Sequence, residues 1–252
     1  MAFVVGEDGR QVIALDGAEY SPCGPDWIVS WPLYFSDAGD RVACRLTSRT
    51  TQKGCIAVDG KRGEEFDRVG PPALSRDGTR VVYRAQQGDR SFIVAGGVRG
   101  PDAEFLSDPA ISADGTVVAY GEKREGRWSL VVADRGTPID HQPFYVFLSP
   151  DGRSVGYSQL EPGGAGGSRA RVVVDGKAGE SFSTVGLPVV SPDGKSVIYA
   201  ADEGERQYIV IGDTKVEVSG RASDPVFSRD GRKVGYGARI GREIWWKVLD
   251  LP

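Results

Sequence analysis

Short apolar segments alternate with polar turns along the chain, and no stretch of ten or more residues keeps a helical spacing of hydrophobic positions. The most regular segments follow a Ser-x-Asp-Gly turn and read Val-x-Tyr, which places Val and Tyr on one face of an extended strand. Another apolar run follows after a second polar turn, as at residues 208–210. The pattern predicts an all-β protein of short antiparallel strands.

The Ser-x-Asp-Gly segment recurs six times, with its serine at positions 36, 75, 112, 149, 191 and 228. Glycine holds the fourth position and valine the seventh in every copy, whereas Ala38 and Cys44 are single exceptions to the aspartate and the tyrosine. The aspartates are predicted to be structural turn residues, because a carboxylate accepts local backbone N–H groups and glycine supplies a positive φ. These turn residues are Asp77, Asp114, Asp151, Asp193 and Asp230.

Each copy contains four predicted strands in about 37 residues, which is typical of a propeller blade. The sequence therefore predicts one domain over residues 1–252, a six-bladed β-propeller of four-stranded antiparallel blades whose repeats start near residue 30. The last copy ends after its third strand, at residues 244–248, so we expect an N-terminal strand to complete it and close the ring. One N-terminal strand is then left over, which keeps a seven-bladed or an incomplete ring open.

The units that read Ser-Pro-Asp-Gly-x-x-Val-x-Tyr, at 149–157 and 191–199, resemble the WD40-like repeats of the TolB type. The resemblance runs from about residue 30 to the C-terminus. It implies the six-bladed propeller of TolB and its bacterial relatives, which are chiefly binding platforms, although some such propellers gate a hydrolase domain. This chain has no room for a hydrolase domain and lacks the G-x-S-x-G nucleophile motif.

Charge and hydropathy limit the classes of partner. Lys and Arg total 31 against 35 Asp and Glu, a net charge of −4, which argues against a non-specific nucleic-acid footprint. No apolar run approaches the roughly 18 residues of a membrane span. Residues 1–10 lack the features of a secretory signal, so we expect a cytoplasmic protein, or a periplasmic one if Met1 was added to a shortened chain.

Metal and cofactor chemistry finds little support in the sequence. His141 is the single histidine, which excludes a multi-histidine metal site within one chain, and no cofactor is expected. Three cysteines, an odd number, exclude a complete disulfide framework. Cys44 and Cys55 are expected on neighbouring strands as buried thiols, with a disulfide bond as the alternative.

Candidate binding residues lie where the chain enters each predicted innermost strand, ahead of a proline expected to start that strand. These positions differ from copy to copy while the structural positions repeat, so they suit a ligand or partner site around the channel mouth. They are Trp31, Arg68, Asp108, His141, Thr184 and Asp224. Ordinary solvated loop ends are the alternative. Residues 21–31 and 134–147 also depart from the repeat. The second segment, which contains Asp140 and His141, replaces the short fourth strand that in other copies opens with a glutamate and an aromatic residue, as at residues 65–66.

We expect a non-catalytic scaffold that recognises a protein partner through these loops, because the sequence offers no catalytic set. A small-molecule or glycan binder stays open, as does a hydrolase or lyase that uses Asp108, Asp224 and Arg68 at the central channel. A purely structural domain is a further alternative. We expect a monomer, and a dimer formed by exchange of the surplus strand is the alternative.

Overall fold

A computed structural model describes residues 2–7, 10–15, 18–20, 26–163 and 167–251. The described residues form strands and turns and contain no helix, so none is long and apolar enough to cross a membrane. The chain divides into two compact units, residues 1–127 and 128–252. The division falls inside the third of the six repeats. Cys23 lies outside the described residues.

The first unit contains an N-terminal sheet, two complete repeats and the beginning of a third. The N-terminal sheet has the order β1-β2-β3: β1 (Ala2–Glu7), β2 (Arg10–Leu15) and β3 (Ala18–Tyr20). The first repeat is β4 (Trp27–Phe35), β5 (Val42–Ser48), β6 (Gly54–Val58) and β7 (Lys61–Arg62), paired in that order. The second is β8 (Arg68–Val69), β9 (Ala73–Leu74), β10 (Val81–Gln87), β11 (Arg90–Ala95) and β12 (Val98–Arg99). The third begins with β13 (Phe105–Leu106), β14 (Ala110–Ile111) and β15 (Val118–Arg124).

The second unit contains the rest of the third repeat and three more. The third repeat continues with β16 (Arg127–Val132), whose first residue ends the first unit, and β17 (Arg135–Ile139). The fourth repeat is β18 (Pro143–Leu148), β19 (Val155–Pro162), β20 (Ser168–Val174) and β21 (Lys177–Phe182). The fifth is β22 (Thr184–Val185), β23 (Val189–Val190), β24 (Val197–Glu203), β25 (Arg206–Ile211) and β26 (Thr214–Val218). The sixth is β27 (Arg221–Ala222), β28 (Val226–Phe227), β29 (Lys233–Ile240) and β30 (Glu243–Asp250).

The Ser-x-Asp-Gly turns join the first strand position to the second in each repeat. In the second repeat the hydroxyl of Ser75 donates a hydrogen bond of 2.6 Å to Asp77 and accepts one of 3.0 Å from the backbone N–H of Arg80. The copies at Ser112, Ser149, Ser191 and Ser228 have the same pair of bonds. The serine is therefore the centre of the turn, and the strands on either side are brought into antiparallel register.

The prolines do not start the innermost strand, as the sequence analysis expected, except at Pro143, which begins β18. In the second, third, fifth and sixth repeats the innermost strand is split in two around the proline, with both halves paired to the same neighbour. In β4 the proline lies inside the strand, after a cis Trp31–Pro32 bond. Proline has no N–H group and is tolerated here because an innermost strand is an edge strand.

The two ends of the chain pair separately. The N-terminal strands β1, β2 and β3 pair with one another, and Ile13 of β2 packs against Trp27 and Val29. Strand β30 pairs with β29 alone among the described strands. The expected pairing of an N-terminal strand beside the last strand is not among these pairings, so closure of the ring stays a prediction.

Cys44 and Cys55 lie on the paired strands β5 and β6 and are buried in the core of the first repeat. They are not joined by a disulfide bond. Both observations agree with the expectation of two buried thiols on neighbouring strands.

Candidate binding sites

The first unit places three of the predicted site residues on innermost strands. Trp31 lies in β4 with 60% of its surface exposed. Arg68 begins β8, and Asp108 lies between β13 and β14, where its carboxylate accepts a hydrogen bond of 3.2 Å from Nε of Arg84. No hydrogen bond or ion pair joins Trp31, Arg68 and Asp108 to one another in the described part of the chain.

The second unit places the other three in the same strand position. His141 lies just before β18, Thr184 begins β22, and Asp224 lies between β27 and β28. The hydroxyl of Thr184 donates a hydrogen bond of 2.8 Å to Asp202 on the neighbouring strand. The three residues are therefore spread over three repeats, and no bond between them is found among the described residues.

Asp108 and Asp224 have a common structural surrounding. A Cβ on Gly70 would lie 2.6 Å from Oδ1 of Asp108, and a Cβ on Gly186 would lie 2.5 Å from Oδ1 of Asp224. In both units the absence of a side chain on the glycine of one repeat leaves room for the carboxylate of the next. These two aspartates thus repeat, contrary to the sequence-based view that all six positions vary independently.

A polar cleft of about 270 Å³ lies beside Arg68. Its walls include Ser30, Arg45 and Gln52. Nε of Arg45 is buried without a hydrogen-bond partner. Neither Arg45 nor Arg68 is in an ion pair within the part of the chain that the structure describes, so the cleft has an excess of positive charge and suits an anionic group.

The contacts between successive repeats also follow a regular pattern. A residue at the outer end of one repeat packs against the ninth-position tyrosine of the next, and we call it the junction residue. The five pairs are Phe66 with Tyr83, Ala103 with Tyr120, Ile139 with Tyr157, Phe182 with Tyr199 and Val218 with Tyr236. Four junction residues are buried, and Ile139 is half-buried.

The two phenylalanines show how a junction is filled. The rings of Phe66 and Tyr83 meet edge to face with centroids 6.4 Å apart, and those of Phe182 and Tyr199 at 6.5 Å. Burial raises the pKa of Tyr83 and of Tyr199 to about 12, because the phenolate would be poorly solvated there. A tyrosine between repeats is thus held neutral by the packing around it.

The junction at Ile139 is open. A cleft of about 550 Å³ lies there, against about 350 Å³ beside Tyr83 and about 400 Å³ beside Tyr199. In two outer hairpins, β6–β7 and β20–β21, the pairing register shifts by one residue before the phenylalanine is reached. The hairpin β16–β17 has no such shift and pairs regularly up to Ile139. An aliphatic side chain therefore occupies the position of a ring, and we call the space the Ile139 cleft.

Polar groups lie at one side of the Ile139 cleft and aliphatic ones at the other. The apolar wall is formed by Leu130, Val132, Val155 and Val173, and the polar wall by Asp140, His141, Gln159, Glu161, Arg171 and Asp175. Glu161 accepts hydrogen bonds of 2.6 Å from Oγ of Ser181 and from Arg171, and these donors hold the pKa of its carboxyl below the usual value. Burial, and then the charge of Asp140, raises the pKa of Tyr157.

Sequence reasoning found only part of this cleft. His141 and Asp140 were noted because residues 134–147 depart from the repeat. Glu161 and Arg171 were missed, since they lie on ordinary alternating strands and carry no motif. The junction position offers only a weak signal, since it is phenylalanine at 66 and 182 and aliphatic at 103, 139 and 218.

Exposed apolar side chains mark the innermost strands of both units. In the first unit they are Ile28, Trp31 and Phe35, all on β4. In the second unit they are Tyr145, Leu187 and Val226. In each unit these side chains are accessible to a partner.

Several solved β-propellers are similar to this structure. The β-propeller domain of the Trilobed protease from Pyrococcus furiosus matches with a TM-score of 0.58 and 12% identity, over 89% of this chain and 81% of that one. A structure of prolyl endopeptidases matches with a TM-score of 0.56 and 12% identity, over 98% and 50%. The fold is that of a β-propeller.

TolB from Acinetobacter baumannii is also similar, with a TM-score of 0.47 and 15% identity over 90% of this chain and 61% of that one. The chain thus spans about three fifths of the TolB chain and half of the prolyl endopeptidase chain. No family model and no curated protein sequence matches the chain.

Proposed function

We propose that the chain is a six-bladed propeller, in a single closed domain, that acts as a non-catalytic binding module for a protein partner. The observation that carries the proposal is the set of exposed apolar side chains on the innermost strands, above all Trp31. Large exposed aromatic residues beside charged ones are typical of the centres of protein interfaces. In this region Trp31 is next to Ser30, which lines the positively charged cleft at Arg45 and Arg68.

The polar neighbours support recognition of an acidic segment. Arg45 and Arg68 offer two guanidinium groups against one carboxylate in the cleft wall, that of Asp67, and neither arginine is in an ion pair among the described residues. A partner that places an apolar side chain on Trp31 and a carboxylate near Arg68 would use both features. Asp108 and Asp224 support this less directly, because each is in contact with a glycine of the preceding repeat and Asp108 also pairs with Arg84.

The test is quantitative binding with matched variants. A partner captured by the wild-type chain is purified and titrated calorimetrically against wild type, Trp31→Ala, Arg68→Ala and Val98→Ala. Val98 is the control, because it is an exposed apolar residue on the outer strand β12. We expect Trp31→Ala to weaken binding by about 2 kcal/mol, roughly thirtyfold. Equal affinity of wild type and Trp31→Ala, or an equal loss with Val98→Ala, would reject this surface as the binding site.

A further inference from the structure

The Ile139 cleft contains charged groups that the fold does not use. Asp140 and His141 have no hydrogen bond or ion pair among the described residues, although both line the cleft. Glu161 is already bonded to Ser181 and Arg171, and Asp175 accepts the backbone N–H of Val155. The acidic group that remains available to a ligand is therefore Asp140.

The charged groups that line the Ile139 cleft determine which class of ligand it favours. Three carboxylates line the cleft, those of Asp140, Glu161 and Asp175, against two basic groups, the guanidinium of Arg171 and the imidazole of His141. A cation is favoured in such a surrounding, and an anion is disfavoured.

The shape of the Ile139 cleft determines which kind of apolar body the ligand can have. At the junctions of Phe66 and Phe182 a ring lies against the tyrosine of the next repeat, and at Ile139 the corresponding space is open. Leu130, Val155 and Val173 form an aliphatic wall there. A volume of about 550 Å³ is within the range of small-molecule sites, which are mostly apolar with a few polar groups that fix orientation.

We propose that the Ile139 cleft binds a small amine with an apolar body, whose ammonium group pairs with Asp140 and whose hydrocarbon part lies against the surface formed by Leu130, Tyr157 and Val173. The site is separate from the surface at Trp31 and does not depend on the proposed protein partner. A free arylalkyl amine and a lysine side chain of a bound protein share this chemistry, and the probes below distinguish them.

The experiment is a calorimetric titration of the full chain with three probes of similar shape. They are 2-phenylethylamine, the neutral 2-phenylethanol and the anionic 3-phenylpropionate. We expect the amine to bind at least about tenfold more tightly than the alcohol, because the alcohol can donate a hydrogen bond to the carboxylate but has no positive charge to pair with it, and we expect no binding of the acid. Equal binding of amine and alcohol would overturn the proposal, as would the absence of amine binding at millimolar concentration.

Three variants locate the site. Asp140→Asn removes the charge and keeps the shape, so amine affinity should fall at least about tenfold. Ile139→Phe should fill the cleft as Phe66 and Phe182 fill theirs and abolish binding. Asp134→Asn changes the net charge equally at a nearby turn outside the cleft and should leave affinity unchanged. Unchanged affinity in folded Asp140→Asn, checked by circular dichroism, would reject the proposal even if Ile139→Phe fails to fold.

A fourth probe, Nα-acetyl-lysine N-methylamide, distinguishes the two sources of the ammonium group. Binding of this probe in preference to 2-phenylethylamine assigns the site to a lysine of a bound protein. The opposite preference assigns it to a free amine. Both preferences support the proposal, provided that Asp140→Asn weakens the preferred probe.

Discussion

At the scale of single residues, the serine of the repeat contributes more to the structure of the turn than the aspartate does. Its hydroxyl both donates to a carboxylate and accepts a backbone N–H five residues later. The first copy has Ala38 in place of the aspartate, yet Ser36 keeps this role by donating to Asp40 over 2.9 Å and accepting the N–H of Arg41. A carboxylate two positions later therefore substitutes for the missing one.

The fourth position of the turn requires glycine for two reasons, its positive φ and the close approach of the preceding turn. Gly78 has a φ of +64°, and a Cβ there would lie 2.6 Å from the Cβ of Arg41 in the preceding turn. Gly88 has a φ of +60° with nothing within 4 Å. We expect Gly88→Ala to cost about 1–2 kcal/mol, from backbone strain alone. Gly78→Ala should cost about 1–3 kcal/mol more, because the turns must separate. If urea unfolding gives equal losses of stability for the two variants, packing between the turns contributes nothing to stability.

The turn aspartates predict how stability depends on pH. Hydrogen bonds from Ser75 and from Thr79 lower the pKa of Asp77 from 3.8 to about 2, and Asp114 is lowered in the same way. A lowered folded-state pKa stabilises the fold above the unfolded pKa near 4, and this stabilisation is lost as pH falls toward 2.

We therefore expect the melting temperature of the wild type to fall steeply between pH 4 and pH 2. Asp77→Asn should melt lower than wild type at pH 7, and the gap should close near pH 2. Asp89→Asn removes the same charge from a side chain without a hydrogen bond among the described residues, so it should show no such gap. A constant gap for Asp77→Asn across the pH range would contradict the assignment to the carboxylate.

At the scale of strands and sheets, junction residues connect one repeat to the next. Phe182 is fully buried and contacts Tyr199, so Phe182→Ala should destabilise the protein by about 3–5 kcal/mol. Ile139→Ala should cost much less, because Ile139 is half-buried beside an open cleft. Both losses of stability are measured by urea unfolding, which is followed by the tyrosine signal. A loss at Ile139 as large as that at Phe182 would mean that the cleft is closed in solution.

The period-two pattern and the glycine turns were sufficient to predict the strands and their antiparallel order. The sequence predicts the beginning of the innermost strand too late along the chain, because a proline is expected to start a strand rather than to lie within it. An innermost strand has one side without a sheet neighbour, so Pro109 or Pro225 can lie within it at little cost. The Ile139 cleft could not be predicted in full, since it depends on the size of one side chain and on Glu161 and Arg171 from strands without a distinguishing motif.

At the scale of the whole chain, the last strand is the feature with the clearest consequence. Strand β30 pairs only with β29 among the described strands, and Ile244 is 85% exposed beside the exposed Trp246 and Val248. An apolar edge strand with free backbone groups tends to pair with another chain. We therefore expect chains to associate through β30 at high protein concentration, in competition with closure of the ring by an N-terminal strand.

Ile244→Lys should reduce this association, since a charge on an edge strand opposes pairing. Val98→Lys is the control, because Val98 is exposed on a strand of two residues, β12, that is too short to template pairing. Sedimentation velocity over a concentration series measures both. A wild-type chain that stays monomeric throughout would show that β30 is covered.

The open junction at Ile139 has a consequence for how the sequence can vary. In a repeat array, stability is close to a sum of unit terms and nearest-neighbour terms, so a weak contact at one boundary leaves the other boundaries intact. Phe66 and Phe182 lie at boundaries in different units and do not share neighbours with Ile139. We therefore expect substitutions at the Ile139 boundary to leave the other boundaries intact, so that this cleft can change its chemistry without loss of the fold.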